Sequence, residues 1–272
     1  MSPEHWSTHA VELRSRSVIK RFRGEHRQQA EREWRALTLL ARYAPGLAPE
    51  PWEADLEAHE PTVVMSRLSG EPLRGRSLDR AHIKALTKTL SRLYGAVPPD
   101  ALAAVPRRPG HQQDLVAHLR SWGPQVRLQT SEEVRHAMNR GLAWLAGSGM
   151  ETAGLPDVPR VFGPGDGNLA NYLWDGSEVR VVDFEDSGAS DRAFELAEIT
   201  EHVASWVDQP LDVEALLGQF ELTTGESVRL GECRRLLALV WLFLLSFDKG
   251  NKPRNPPGTA ERQASRLLNL LD

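Results

Sequence analysis

Three side chains between Gly163 and Asp186 have types and spacing that could do chemistry: Asp166, Asn171 and Asp183. Asp166 and Asn171 lie five positions apart in a loop that opens Gly-Pro-Gly-Asp-Gly-Asn, and Asp183 follows one strand-turn-strand unit later. Tyr172 to Trp174 is a short aromatic and branched run, Asp175-Gly176 is a dipeptide preferred in two-residue turns, and Glu178 to Phe184 is rich in valine. Such a hairpin turns the chain back on itself, so Asp183 ends the second strand near the loop that precedes the first. One carboxylate there can orient an attacking hydroxyl and accept its proton. A second carboxylate with a carboxamide offers hard oxygen donors to a divalent ion such as Mg²⁺. Asp, Asn and Gly are also the commonest turn residues, so a plain loop accounts for the same letters.

The arrangement resembles the phosphoryl-transfer site of kinases, and most closely that of the aminoglycoside phosphotransferase and choline kinase-like family of small-molecule kinases. The family motif is His-Gly-Asp, four residues, then Asn, with Asp-Phe or Asp-Trp after the hairpin. Gly165-Asp166, Asn171 and Asp183-Phe184 match it, whereas Pro164 stands in place of the histidine that braces the loop. Proline can brace only by fixing φ and cannot donate a hydrogen bond. The resemblance implies a fold of the α+β class: a two-lobed protein kinase-like fold with a small antiparallel-sheet N-terminal lobe and a mostly helical C-terminal lobe. It also implies ATP as donor, Mg²⁺ as cofactor, Asp166 as the catalytic carboxylate, and Asn171 and Asp183 as metal ligands.

The elements before this stretch must bring a cation to the phosphates. His9 to Leu13 and Ser17 to Phe22 read as two strands, with Lys20 in the second. A helix from Gln28 to Tyr43 would place Ala30, Glu33, Trp34, Leu37, Leu40 and Ala41 on one stripe. Glu33 is then a charge on the apolar face, and an unpaired buried carboxylate costs several kcal/mol. Lys20 is its expected partner, with Glu31 as the alternative carboxylate. In the kinase resemblance such a pair aims the lysine at the α- and β-phosphates. No glycine precedes Gly24, so the usual phosphate loop is shortened. Trp6, Ser7 and Thr8 stand as its remnant, Ser7 and Thr8 offering hydroxyl and backbone N–H groups. Weak nucleotide affinity, or a donor other than ATP, would follow.

Ala48-Pro49-Glu50-Pro51 reads as a stiff connector, and Thr62 to Leu68 as a strand ended by Gly70-Glu71-Pro72. The resemblance makes this the lobe-joining hinge, with Ser66 to Leu68 supplying backbone groups to adenine and Met65 lining the back of the pocket. A plain edge strand would look the same. The lobes are expected at residues 1–68 and 69–272.

Beyond the hinge the periodicity turns helical. Ser77 or Asp79 can cap a helix running to Gly95, with Ile83, Leu86, Leu90 and Leu93 on one face. Further helices are expected around Asp114 to Trp122 and Glu132 to Leu145. His111, His118 and His136 lack metal-ligand spacing and are expected at the surface or at helix edges. Ser187 to Ser190 is a very short connection before a helix starting near Asp191. Protein kinases need a long segment here to dock a peptide, so a small-molecule acceptor is expected. Glu195 stands where the family has an aspartate that props the catalytic loop. Glu195, Glu198 and Glu201 are spaced by three and repel one another on a helix. With Glu185 and Asp186 they form either an acidic wall for a cationic acceptor or a solvated acidic face. In the first reading Asp186 and Glu198 lead, and the acceptor is an aminoglycoside or other antibiotic, or an amino alcohol. Helices over Leu211 to Phe220, Glu226 to Phe247 and Ala260 to Leu271 complete the chain, with a basic loop between Asp248 and Gly258.

Composition bounds the alternatives. The 272 residues, 40% of them hydrophobic, can bury a sizeable core. A net charge of -4 gives no global attraction to nucleic acid or anionic membrane. Cys233 is the only cysteine, which excludes an internal disulfide framework and a thiolate zinc site. Leu236 to Phe247 is too short an apolar run to span a bilayer, and the first residues lack the pattern of a signal peptide. A cytoplasmic monomer or weak dimer acting on a small molecule is expected. Pro164 and the short phosphate loop also support a second reading, a catalytically impaired pseudokinase that binds nucleotide or ligand.

Overall fold

The computed structural model describes residues 9–126, 130–150, 158–247 and 255–272. Its N-terminal part is a sheet with one helix against it. Strands β1 (Ala10–Leu13), β2 (Ser17–Arg21), β3 (Pro51–Asp55) and β4 (Thr62–Ser66) pair antiparallel in the order β1-β2-β4-β3. Val11 pairs with Lys20 and Lys20 with Val63, while Leu13 pairs with Val18 and Val18 with Met65. Directly paired residues share a face, so Lys20 stands on an otherwise apolar surface. Helix α1 (Arg27–Tyr43) buries Ala30, Glu33, Ala36, Leu37 and Leu40. Its stripe is rotated slightly from the expected one, because Ala36 is buried while Trp34 is half-buried and Ala41 exposed.

Strand β3 was not expected from the sequence. Pro51 opens it at the sheet edge, where a missing N–H breaks no ladder, and a register shift follows between Pro51 and Glu53. Strand β4 ends at Ser66, two residues before the predicted Leu68.

The remaining elements are mainly helical. Strand β5 (Glu71–Pro72) leads to α2 (Arg80–Tyr94), which Asp79 caps by accepting the Ala81 and His82 N–H groups. Helices α3 (Pro99–Ala103), α4 (Gln112–Val126) and α5 (Glu132–Ser148) follow. Then come β6 (Arg160–Gly163), β7 (Tyr172–Trp174), β8 (Val179–Val181) and β9 (Gly188–Asp191). Helices α6 (Arg192–Glu201), α7 (Val213–Leu217), α8 (Thr224–Phe247) and α9 (Thr259–Leu271) close the chain. Helix α8 is apolar on nearly every side and packs against α4, α5, α6 and α9, which makes it the centre of this part. Among the described residues no helix is long and apolar enough to cross a membrane.

Two small sheets frame the central stretch. One has the order β5-β7-β8, the other pairs β6 with β9. The expected short connection Ser187 to Ser190 is thus mostly strand, held against β6. The β7–β8 turn spans Asp175 to Glu178 rather than the two residues Asp175-Gly176. Asp175 Oδ1 accepts from the Ser177 and Glu178 N–H groups and from the Ser177 hydroxyl. Its side chain stabilises the longer turn by mimicking backbone acceptors.

Candidate active site

The loop between β6 and β7 carries Asp166 and Asn171 and is shaped by close backbone approaches. Gly165 has φ 87°, and a Cβ there would overlap the Asp186 carbonyl. A Cβ on Gly163 would enter the Glu195 carboxylate. Both positions therefore need glycine, one for conformation and space and the other for space alone. Asp166 Oδ1 accepts the Asn168 N–H at 2.9 Å, and its Oδ2 accepts Asn171 Nδ2 at 2.9 Å. Burial raises the Asp166 pKa and the Asp183 charge adds to this, against the opposing hydrogen bonds from Asn168 and Asn171. The Val182 N–H donates to the Asn171 carbonyl at 2.9 Å, tying the loop to the residue before Asp183.

Asp183 has φ 68°, the only positive value for a non-glycine residue among the described residues. Aspartate tolerates the left-handed region better than most side chains, yet the conformation still costs about 1 kcal/mol or more. It ends β8 early and turns the carboxylate toward the N-terminal sheet. There Asp183 Oδ1 receives Lys20 Nζ at 2.6 Å.

Lys20 is the centre of this contact set. Its ammonium also lies 3.2 Å from Glu33 Oε2 and 2.6 Å from Glu185 Oε2. Glu33, 1% exposed, is thus paired as its place on the apolar face required, and Glu31 lies off the buried stripe. The same Glu33 oxygen accepts the Phe184 N–H at 2.8 Å, so one carboxylate fixes both the lysine and the chain after Asp183. Burial works against the Lys20 charge, but Glu33, Asp183 and Glu185 outweigh it and raise its pKa. Burial, with Asp183 beside it, pushes the Glu185 carboxyl up to about 7.

The oxygens of Glu33, Asp183 and Glu185 lie within 4.8 Å of one another, a spacing that could hold a cation. The Lys20 ammonium already stands among them. The loop meets this cluster through the Val182 N–H, which bonds to the backbone carbonyl of Asn171. The Asn171 amide nitrogen is committed to Asp166, which leaves its side-chain oxygen for an ion. A carboxylate and a carboxamide oxygen are hard donors that suit Mg²⁺.

The expected acidic wall is not an open surface. Arg108, 4% exposed, donates to Glu195 Oε1 at 3.1 Å, to Glu198 Oε1 at 3.0 Å and to the Gly165 carbonyl at 2.7 Å. Glu201, fully buried, is held by Arg234 at 2.6 Å and Arg266 at 3.0 Å. Internal arginines supply the counter-charge that a cationic ligand was expected to bring. Glu195 instead lies against the loop between β6 and β7, its Oε2 accepting the Gly165 N–H at 3.4 Å. Burial pushes Glu198 up to about 7 despite Arg108. Asp186 keeps a 40% exposed side chain and faces Arg32 at 3.6 Å.

Arg108 escaped the sequence reading because it lies in a proline-rich break, although glutamates repeated on a buried helix signalled a missing cation. Val11 and Leu13, 38% and 48% exposed, were also missed as open apolar side chains on the Lys20 face. His111 is 2% exposed rather than superficial, stacked on Phe194 and 3.6 Å from Asp191, whereas His118 and His136 are exposed as expected.

Near the end of β4, Met65 is 5% exposed. The Ser66 N–H is taken by the Glu50 carbonyl and the Arg67 N–H by the Arg16 carbonyl, both at 2.9 Å. Leu68 is half-buried just beyond them. Ser7, Thr8 and the bases Lys249, Lys252 and Arg254 lie outside the described residues.

A small antiparallel sheet with one helix, a lysine–glutamate pair between them, and a helical C-terminal part define a protein kinase-like small-molecule phosphotransferase. The chain belongs to the APH phosphotransferase enzyme family, whose pattern matches residues 3–230. Comparison with curated protein sequences finds no match. Among solved structures, a choline/ethanolamine kinase family protein from Mesorhizobium loti superposes with a TM-score of 0.69 at 16% identity, over 97% of this chain and 85% of that one. Choline kinase LicA from Streptococcus pneumoniae gives 0.60 at 17% identity, over 96% and 87%. A spectinomycin phosphotransferase, in complex with ADP and spectinomycin, gives 0.66 at 12% identity, over 98% and 89%. At these identities the likeness concerns the fold.

Proposed function

We propose that the protein transfers the γ-phosphoryl group of ATP, with Mg²⁺, to a hydroxyl group of a small molecule. The observation that carries this reading is Lys20 held jointly by Glu33 and Asp183, with the residue before Asp183 bonded to the loop in which Asp166 and Asn171 are hydrogen-bonded. Residues 1–68 act as the nucleotide-binding lobe and 69–272 carry the catalytic loop and acceptor site.

Val11, Leu13 and Met65 offer adenine an apolar surface, and the Leu68 backbone is the hinge position left to read its edge. Lys20 meets the phosphates, and Ser7 and Thr8 are assigned to them by their hydroxyl chemistry alone. Asp166 orients the acceptor hydroxyl and takes its proton as that oxygen bonds to the γ-phosphorus and the bond to the β,γ-bridging oxygen breaks. Bound between Asn171 and Asp183, Mg²⁺ would neutralise charge on the phosphate oxygens.

The charge argument for a polycationic acceptor is reduced, because Glu195, Glu198 and Glu201 are already paired. Asp186, with a 40% exposed side chain, remains an accessible acid whose backbone abuts Gly165 of the loop. An amine-bearing acceptor with one or two charges, such as an amino alcohol, fits this better than a heavily charged antibiotic. A cytoplasmic monomer or weak dimer without nucleic acid or membrane partners is the setting we propose.

The test is calorimetry with Mg-ATP followed by ADP release over amino alcohols, aminoglycosides and neutral polyols, with Asp166→Asn alongside. Turnover on one class, lost about 10²-fold or more in Asp166→Asn, supports the reading. Binding without turnover on any acceptor would instead establish the pseudokinase reading that Pro164 favours.

A further inference from the structure

We infer that His202 is the positioning residue for Asp166, supplying from the end of helix α6 the ring N–H that Pro164 cannot. The inference rests on the reading of Asp166 as the proton acceptor. His202 follows the last residue of α6, is 7% exposed, and presents Nε2 3.5 Å from Asp166 Oδ1. Its other nitrogen, Nδ1, accepts the Ala204 N–H at 3.0 Å. A ring nitrogen that accepts cannot carry the proton, so the neutral ring holds its proton on Nε2, facing the carboxylate.

This tautomer decides the role. With Nδ1 occupied and Nε2 protonated, the ring has no lone pair free to take a proton from an acceptor hydroxyl. His202 can donate to Asp166 but cannot replace it. Burial, with Arg74 nearby, lowers the His202 pKa to about 3, so the ring stays neutral through the physiological range. Trp241 packs edge-on against it at 4.5 Å and 75°, which fixes the ring plane.

The Asp166 carboxylate is then held on both oxygens. Asn171 grips Oδ2, while the Asn168 N–H and the His202 ring face Oδ1. The support is anchored to the loop it serves, because Glu195 and Glu198 of the same helix reach the Gly165 carbonyl through Arg108. The ring and the loop are therefore parts of one rigid unit.

Two variants separate positioning from packing. In His202→Asn the side-chain oxygen replaces Nδ1 as the Ala204 cap but is too short to bring a donor to Asp166. In His202→Gln the longer amide can present an N–H toward Oδ1. The expected result for His202→Asn is a kcat lowered on the order of 10-fold or more, with both KM values within about twofold. His202→Gln should recover part of kcat. Equal kcat loss in both variants in step with lost thermal stability, or no kcat change in His202→Asn, would overturn the inference.

A second arm does not depend on turnover. In protein labelled with ¹⁵N-histidine, the His202 ring should show the Nε2-protonated tautomer, and its Nε2–H resonance should move in Asp166→Ala. A Nδ1-protonated ring, or no movement, also overturns the inference. Movement together with absence of wild-type turnover on every acceptor supports the contact and counts against phosphotransfer alone.

Discussion

Lys20 Nζ lies 2.6 Å from Asp183 Oδ1, and this contact joins the N-terminal sheet to the chain just past the β7–β8 hairpin. It works with the 3.2 Å contact to Glu33, because the lysine balances acids that arrive from two different parts of the sequence. Removing it in Lys20→Ala leaves three carboxylates facing one another. Breaking such a buried pair from one side costs about 3–5 kcal/mol. Urea unfolding should show a loss of that order, and calorimetry should show Mg-ATP affinity reduced on the order of 10-fold or more. A variant of unchanged stability and affinity would remove the basis for the proposed phosphate contact.

Gly165→Ala should damage the catalytic loop far more than Gly46→Ala. Both glycines have positive φ, 87° and 81°, but the space around Gly46 is open while Gly165 abuts the Asp186 carbonyl. Strain alone predicts a loss of about 1 kcal/mol at Gly46. At Gly165 the overlap with backbone adds to that and displaces Asp166, so turnover should fall as well. Equal losses in denaturant midpoint would show that the loop can shift without cost.

Arg108→Met tests whether the arginine supports the loop. It removes the cation from buried Glu195 and Glu198 and the donor from the Gly165 carbonyl. The expected loss is about 3–5 kcal/mol, read by thermal unfolding. Adding Glu195→Gln and Glu198→Gln should restore part of it, because the orphaned charges are then gone. Failure of the triple variant to recover stability would locate the penalty in lost packing.

Acid should destabilise the fold through His202. Its pKa falls from 6.5 to about 3 on folding, so the unfolded chain binds the extra proton between those values. Stability from this group is fully present above 6.5 and is lost as pH falls toward 3. His9, lowered to about 4, acts in the same direction. Glu198, raised from 4.5 to about 7, acts oppositely, since its folded form holds the proton more tightly and stability declines as pH rises through that window. His202→Asn should flatten the acid slope of the unfolding free energy between pH 6 and 4, and an unchanged slope would exclude His202 as its source.

Much of the scaffold was legible because local rules and tertiary packing agreed. Glu33 on the apolar stripe of α1 demanded a cation, and Lys20, flanked by apolar residues on the preceding strand, supplied it, whereas its neighbour Arg21 is exposed. Asp79 and Gly95 marked the ends of α2 through their capping chemistry. The hairpin around Gly176 was also readable, although Asp175 serves as an acceptor rather than as a turn centre. Strand β3 was hidden because Pro51 argues against a strand except at an edge, and edge position is a tertiary fact. The state of Glu195, Glu198 and Glu201 was equally hidden. Their spacing shows three like charges on one helix, but Arg108, Arg234 and Arg266 approach from distant segments. His202 was unreadable for the same reason: its proximity to Asp166 exists only once α6 packs beneath the loop.

The contact from Lys20 to Asp183 spans 163 residues of sequence. On a ribosome the lysine emerges long before the acid that completes its surroundings, so the early sheet and α1 must wait with a half-balanced charge. Closing that distance is a costly long-range event that local contacts cannot anticipate. A nascent chain stopped ahead of residue 183 would hold Lys20 and Glu33 without Asp183 and Glu185, which makes the completed charge cluster a late product of synthesis.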